Sequence, residues 1–137
     1  MKFLNAIALV LTAFLSLNVA ARSPAPIINY ENIVVTTGSG KSLISEQVNQ
    51  AIVTAAGVKN WTIAFQTEET LQATLNVSGK HTIVIEVTYS ADKYSLLYKE
   101  STNMKYGVRH GQPVIHPHYN KWVQDFRSTI RTELLKL

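Results

Sequence analysis

Three histidines stand close together near the end of the chain, at positions His110, His116 and His118. Imidazole nitrogens bind zinc and copper, so this cluster is a candidate metal site. A tetrahedral structural site needs a fourth ligand, and the chain contains no cysteine. Pro117 also fixes the backbone between His116 and His118, which turns their side chains apart. Metal binding is therefore the alternative to a structural role, in which His116 caps a helix while His110 and His118 are solvated.

Tyrosines and basic residues surround an irregular segment at 101–113. Aromatic rings with interspersed cations can stack on sugars or bases, although most tyrosines of this chain fall on apolar faces typical of core packing. The segment is nevertheless the longest irregular stretch that we predict, and loops held on a rigid scaffold are favoured places for binding. It is therefore the predicted functional surface, with candidate binding residues Tyr98, Asn103, Lys105, Tyr106 and Arg109.

A Gly-rich segment ends in Gly40-Lys41-Ser42, as a phosphate-binding loop between a strand and a helix does. That pattern also needs a glycine five residues before Gly40, and Val35 stands there. The later strands are predicted to be antiparallel, whereas nucleotide sites of this type belong to parallel sheets. We therefore predict a strand-to-helix turn without nucleotide chemistry.

Residues for acid–base catalysis are few. Glu86 lies in the middle of a predicted strand, on its polar face, and the adjacent Glu68 and Glu69 belong to a predicted turn. Neither a Gly-x-Ser-x-Gly nor a His-Glu-x-x-His pattern occurs. The sequence therefore predicts a protein that is not an enzyme and uses no cofactor, and a small hydrolase acting through Glu86 or His116 is the weakest alternative.

The elements that position these residues follow from hydrophobic periodicity. A short apolar strand at 33–35 precedes a helix at 42–56, and a second helix begins at Pro117 with His116 as its N-cap. Between the helices, apolar and polar residues alternate in four strands with short breaks, at 61–66, 71–77, 83–89 and 94–98. Short breaks favour hairpins. The prediction is an α+β two-layer sandwich of order β-α-β-β-β-β-α, an antiparallel meander with both helices on one face.

The beginning of the chain resembles a secretory signal. Lys2 precedes a short apolar run, and Val19-Ala20-Ala21 places small residues at a cleavage site. We predict a signal peptide at 1–21, a flexible leader at 22–32 and a single domain at 33–137. The expected location is periplasmic or secreted, with no membrane span once the signal is removed.

Charge and cysteine content exclude several classes of function. Removal of residues 1–21 takes Lys2 with it and leaves a formal charge of +3. That charge is too small to indicate nucleic acid, although it suits weak attraction to anionic envelope polymers. Without cysteine there is no thiolate chemistry, no disulfide and no lipid anchor on a first mature Cys. Packing alone must stabilise the domain.

The segment Ile115-His116-x-x-Tyr119-Asn120-x-Trp122-Val123, with weaker features from Ser42 onward, resembles a family of short uncharacterised envelope proteins of Gram-negative bacteria, often lipoproteins. The resemblance implies a periplasmic α+β domain and assigns no reaction or ligand. The chain differs from the lipoprotein members because it lacks the anchoring cysteine. His116, Tyr119 and Asn120 also have a physical role of their own, since a cap, a ring and an amide at the start of a helix can fix its junction with the preceding strand.

Together these observations predict an exported domain with a non-enzymatic binding or structural role in the cell envelope. The expected partner is an envelope protein or polymer, bound through 101–113 and the exposed face of the sheet. The candidate surface also includes His116, Tyr119 and Asn120. The histidine-based metal protein is the first alternative.

Overall fold

The computed structural model describes residues 23–137 and has two helices and eight strands in two antiparallel sheets. The predicted α+β class is confirmed, and the predicted signal peptide at 1–21 lies outside the described residues. The elements in chain order are β1 (Ala25–Pro26), β2 (Tyr30–Val34), α1 (Ser45–Val58), β3 (Thr62–Thr67), β4 (Thr70–Val77), β5 (His81–Tyr89), β6 (Lys93–Thr102), β7 (Gly107–Arg109), β8 (Gln112–Ile115) and α2 (His118–Leu135).

The larger sheet is the predicted antiparallel meander, with β2 added beside β6 to give the order β2-β6-β5-β4-β3. Alternation determines its register, because Leu71 pairs with Val87 and Leu75 pairs with Ile83 on the same face. All four side chains are buried. A slip of one residue would move this apolar set to the opposite face, which carries polar residues such as Gln72.

Both helices pack against the apolar face of this sheet and against each other. Ile52 of α1 and Phe126 of α2 are fully buried, and the Phe126 ring stacks on Trp61 with centroids 5.1 Å apart. Helix α1 begins after Ile44, whose backbone N–H donates to Oε1 of Gln47 at 3.0 Å. The predicted two-layer arrangement is therefore present, with apolar stripes of the helices covering the sheet.

The second sheet is small and has the order β1-β8-β7. It occupies two segments that the sequence had predicted to be irregular. Within the predicted flexible leader, β1 pairs with β8, and the N–H of Ile27 donates to the carbonyl oxygen of Pro113 at 3.1 Å. The leader also contains the first residues of β2, so it belongs to both sheets.

The predicted irregular segment at 101–113 is also different in the structure. Strand β6 continues to Thr102, and β7 and β8 form a hairpin in which Arg109 pairs with Gln112. The two residues of its turn, His110 and Gly111, have φ values of 51° and 73°. Positive φ at both central positions is the type I′ geometry that suits the twist of a hairpin. Only part of the segment is therefore loop.

Candidate functional site

The hairpin carries an aromatic platform. The Tyr106 ring lies parallel to that of Tyr98, with centroids 5.2 Å apart and 1° between the planes. Tyr98 is in turn oriented by the edge of Tyr119, at 5.5 Å and 76°, and by a hydrogen bond between its hydroxyl and Oγ of Ser101 at 2.9 Å. Tyr106 is half exposed. One face of the Tyr106 ring is thus packed against Tyr98, whose orientation is fixed by Tyr119 and Ser101, while the Tyr106 side chain remains accessible to solvent.

Two basic residues are close to Tyr106 in the sequence. Lys105 and Arg109 are exposed on either side of Tyr106 in the sequence, and the apolar Val108 between them is 64% exposed. The chain has no Asp or Glu between Glu100 and Asp125. The segment that carries Tyr106 therefore combines exposed apolar and basic side chains without a carboxylate, and the nearest acidic residue in the sequence, Glu100, lies close enough to Tyr98 to raise its pKa, after burial and the nearby Tyr106.

Asn103 is exposed, but its polar groups are used within the fold. Its Nδ2 donates to the carbonyl oxygen of Lys80 at 2.8 Å, and its own carbonyl oxygen lies 2.8 Å from Nδ1 of His81. Its φ of 57° is left-handed, a conformation that asparagine tolerates better than most residues. Asn103 therefore fixes the end of β6 to the β4–β5 turn, and its role in binding stays a prediction.

Asn120 is also a structural residue. Its Nδ2 donates to the carbonyl oxygen of Pro26 at 2.9 Å, and its Oδ1 accepts from the N–H of Ile28 at 3.0 Å. One amide thereby satisfies two backbone groups of the N-terminal segment, nearly a hundred residues away in the sequence. This agrees with the predicted role of fixing the junction, with the N-terminal segment as the partner that the sequence did not reveal.

Pro117, rather than the predicted His116, is the N-cap of α2, which begins at His118. His116 precedes the N-cap and still contacts the start of the helix. Its Nδ1 accepts a hydrogen bond from the N–H of His118 at 3.1 Å, and its own N–H donates to the carbonyl oxygen of Met104 at 2.8 Å. An accepting Nδ1 satisfies one of the N–H groups that a helix start leaves without an intrahelical partner. The side chain thus joins the helix start to the segment that precedes β7.

Tyr119 cannot contact a surface ligand, because its side chain is fully buried. Its hydroxyl has no hydrogen-bond partner among the residues that the structure describes. Burial raises its pKa above the ordinary range for tyrosine, and the nearby Tyr98 and Tyr30 add to the increase. The predicted binding role of Tyr119 is therefore replaced by packing, with an unsatisfied hydroxyl in the core.

The candidate metal ligands do not come together as a set of three. The rings of His116 and His118 are 4.5 Å apart, and His118 lies 5.4 Å from the Trp122 ring. His110 occupies the turn of the hairpin. Within residues 23–137, no group of three His, Cys, Asp or Glu side chains is arranged to hold a metal ion.

The residues considered for catalysis lie in ordinary structural positions. Glu86 faces the polar side of the larger sheet, paired with Gln72 on one neighbouring strand and with Leu97 on the other. In the Gly-rich segment, Oγ1 of Thr37 donates to the carbonyl oxygen of Lys41 at 3.0 Å. This segment follows an edge strand of an antiparallel sheet, so it lacks the context of a phosphate-binding loop.

Sequence reasoning missed a groove between β2 and α2. It has a volume of about 340 Å³ and is lined by Ile33, Val34, Thr36, Tyr94, Gln124, Arg127, Ser128, Arg131 and Leu134. The available signal was the spacing of Arg127 and Arg131, which places two cations on one side of α2, one turn apart. The sequence alone does not show which strand this side of α2 faces.

Comparison of the chain with protein-family models, with curated proteins and with solved structures finds no match. The resemblance to envelope proteins therefore stays a prediction. In the part of the chain that the structure describes, neither helix has the length and hydropathy needed to cross a membrane.

Proposed function

We propose that this protein is an exported, non-enzymatic domain that binds an anionic polymer of the cell envelope through its β7–β8 hairpin. We call the surface formed by Lys105, Tyr106, Val108 and Arg109 the hairpin surface. The observation that carries the proposal is a half-exposed ring, stacked on a second ring, in a segment with cations and no carboxylate. Export rests on the signal-like sequence at 1–21.

The chemistry of the hairpin surface suits an extended anionic chain. An exposed aromatic ring contributes large contact area with little loss of side-chain freedom, because only two torsions are fixed. Cations beside the ring attract an anionic chain and raise its rate of encounter, an effect that salt screens. An acidic sugar polymer presents both an apolar ring face and a charge.

The hairpin surface is also held in place before binding. Asn120 fixes β1 to the start of α2, β1 pairs with β8, and His116 joins α2 to the segment before β7. A surface ordered in advance loses less conformational entropy on binding. Asn120 and His116, which the sequence predicted to fix this junction, therefore position the backbone that carries the hairpin surface.

The experiment measures binding of the purified protein to immobilised polygalacturonate, a carboxylated polysaccharide, with neutral dextran as the reference. We expect binding to polygalacturonate that weakens with salt, is lost in Tyr106→Ala and is reduced in Arg109→Gln. Phe65→Ala is the matched control, since Phe65 is an exposed aromatic residue on β3. Equal binding to both polysaccharides, or an unchanged Tyr106→Ala variant, would rule out the proposal.

Export is tested separately by fractionation of cells that express the full chain. We expect the processed protein, shortened by about 21 residues as a signal peptide requires, in the periplasm or the medium. Unprocessed protein in the cytoplasm would contradict the proposed location without bearing on the hairpin surface.

A further inference from the structure

The groove between β2 and α2 is separate from the hairpin surface and has its own chemistry. Its floor includes Tyr94, which is 3% exposed, and its sides carry hydroxyl or amide groups from Thr36, Ser128 and Gln124. No Asp or Glu belongs to the lining. A cavity with several hydrogen-bond donors and no carboxylate favours an anion over a cation.

Two arginines, Arg127 and Arg131, line this cavity from successive turns of α2. The Cζ atom of Arg127 lies 4.7 Å from the centroid of the Tyr30 ring, so a cation–π contact orients this side chain. Arg131 lines the same cavity four residues later. The two side chains thus present a pair of charged donors to one space.

These cations are not neutralised by ion pairs within the described fold. In residues 23–137, the one ion pair joins Lys136 to Glu133. Like charges four residues apart on a helix repel and lower its stability. Arg127 has a structural contact with Tyr30, whereas no structural contact of Arg131 with another described residue offsets the repulsion, and a local conflict of this kind is typical of a functional position.

Tyr94 adds a neutral donor at the bottom of the cavity. Burial raises its pKa, whereas the charges of Arg127 and Arg131 act in the opposite direction. The net increase keeps the hydroxyl protonated at neutral pH. It can therefore donate a hydrogen bond to an oxygen anion that the guanidinium groups hold.

We propose that this groove, which we call the arginine groove, binds a phosphate ester. Arg127 and Arg131 would hold the phosphate oxygens, since planar guanidinium groups match phosphate with paired hydrogen bonds. A phosphate group fills only part of about 340 Å³, and the rest of the lining includes the apolar Ile33, Val34 and Leu134. The organic part of the ester lies against these side chains.

Such an ester can be a soluble metabolite or the headgroup of a lipid, and the experiment separates the two. The soluble arm titrates the purified protein with glycerol 3-phosphate, followed by amide chemical shifts and calorimetry. The lipid arm measures co-sedimentation with phosphatidylcholine vesicles that contain one tenth phosphatidic acid, against vesicles of phosphatidylcholine alone. Malate is the carboxylate reference.

We expect binding in at least one arm, with shifted amides in β2 and α2 and weaker affinity for malate. Arg131→Gln should reduce the affinity about tenfold or more, because a charge-assisted hydrogen bond is lost. This variant leaves the Arg127–Tyr30 contact intact and removes the like-charge repulsion on α2, so we expect a melting temperature that is equal to that of the parent protein or slightly higher. The double variant Arg127→Gln/Arg131→Gln should abolish binding.

Lys59→Gln is the control, because it removes one positive charge from the exposed C-cap of α1, which belongs to neither the arginine groove nor the hairpin surface, and should leave phosphate binding unchanged. Binding in the soluble arm alone identifies a metabolite site, and binding in the lipid arm alone identifies a headgroup site. Absence of binding in both arms, equal affinity for malate, or full affinity in Arg131→Gln would overturn the proposal. None of these results bears on polymer binding by the hairpin surface.

Discussion

The two sheets of this protein are stabilised in different ways. The five-stranded sheet buries a continuous apolar face under two helices, with residues such as Leu71, Ile85 and Leu96 fully removed from solvent. The three-stranded sheet has strands of two to four residues, and hydrogen bonds from Asn120 and His116 join it to the rest of the fold. The larger sheet depends on a continuous apolar face, whereas the smaller one buries only Val114 and Ile115 of β8 and otherwise depends on a few directional contacts.

This difference has a consequence for function. Apolar burial is spread over many residues, so the larger sheet is uniformly stable and its chemistry is constrained by packing. Strands β1 and β7 of the small sheet are short and bury little surface, so we expect them to open locally with less free energy than the whole domain needs to unfold. The hairpin surface lies on this second sheet, where surface residues can vary without disturbing the core.

The largest effect expected from a single change is the loss of Phe126 from the core. Phe126→Ala removes a fully buried ring that stacks on Trp61 and leaves a cavity between α2 and the sheet. We expect a loss of about 3–5 kcal/mol in the free energy of unfolding, measured by urea denaturation. Phe65→Ala, on an exposed ring, should change it by less than about 0.5 kcal/mol. Similar losses in both variants would refute the packing described for the larger sheet.

The second sheet should instead lose stability when a polar side chain that bonds to it is removed. Asn120→Ala removes both hydrogen bonds to the N-terminal segment, and we expect a loss of about 1–3 kcal/mol. Hydrogen exchange should accelerate at the amides of Ile27 and Ile28 but not in β5. Lys121→Ala is the control from the same turn of α2. Uniform acceleration across both sheets would show that the two regions do not differ in local stability.

A smaller effect on stability is expected at Tyr119, a core residue whose ring contacts Tyr98 of the aromatic platform. Tyr119→Phe removes a buried hydroxyl that has no partner within the described residues, so stability at neutral pH should rise by about 1 kcal/mol. The same change should reduce sensitivity to alkali. A raised pKa in the folded state means that the unfolded chain loses its proton first, so stability falls as the pH rises above the ordinary value of 10.0.

The measurement for Tyr119→Phe is the urea midpoint of both proteins between about pH 7 and about pH 11. The advantage of the variant should grow above about pH 10. Parallel pH profiles for the two proteins would mean that the Tyr119 hydroxyl is solvated.

How much could be predicted from the sequence also differs between the two sheets. The alternation around Leu71, Leu75 and Ile83 predicted the strands of the meander, because burial on one face leaves a pattern with period two. The apolar stripe of α2 predicted its helix in the same way. The second sheet leaves no such pattern, since β1 has two residues and pairs with a strand far along the chain. No local sequence signal marks a contact at that separation.

The residues of the candidate site also differ in how far the sequence could predict their roles. His116 was predicted as the N-cap because Pro117 favours the first position of a helix. In the structure Pro117 is itself the N-cap, and Nδ1 of His116 accepts from the N–H of His118 at the helix start. Tyr119 was assigned to the binding surface although it is buried, because the apolar stripe of a helix does not show which aromatic side chain is covered by β6 and which is exposed. Arg127 and Arg131 were overlooked since an exposed helix face gives no information about a groove until the neighbouring strand is known.

The smallest expected effect concerns the hairpin turn, and it tests whether the second sheet depends on local backbone geometry. His110 has a φ of 51°, and asparagine before glycine is the preferred pair for a type I′ turn. His110→Asn should therefore raise stability by a few tenths of a kcal/mol, roughly the difference expected for a turn residue at positive φ. His110→Val should lower it by about 1 kcal/mol, because a β-branched side chain clashes in the left-handed region. Thermal melts of the three proteins measure the order, and His110→Val at or above the parent protein would show that the hairpin is held by the contacts of Tyr106 and β1 rather than by its turn.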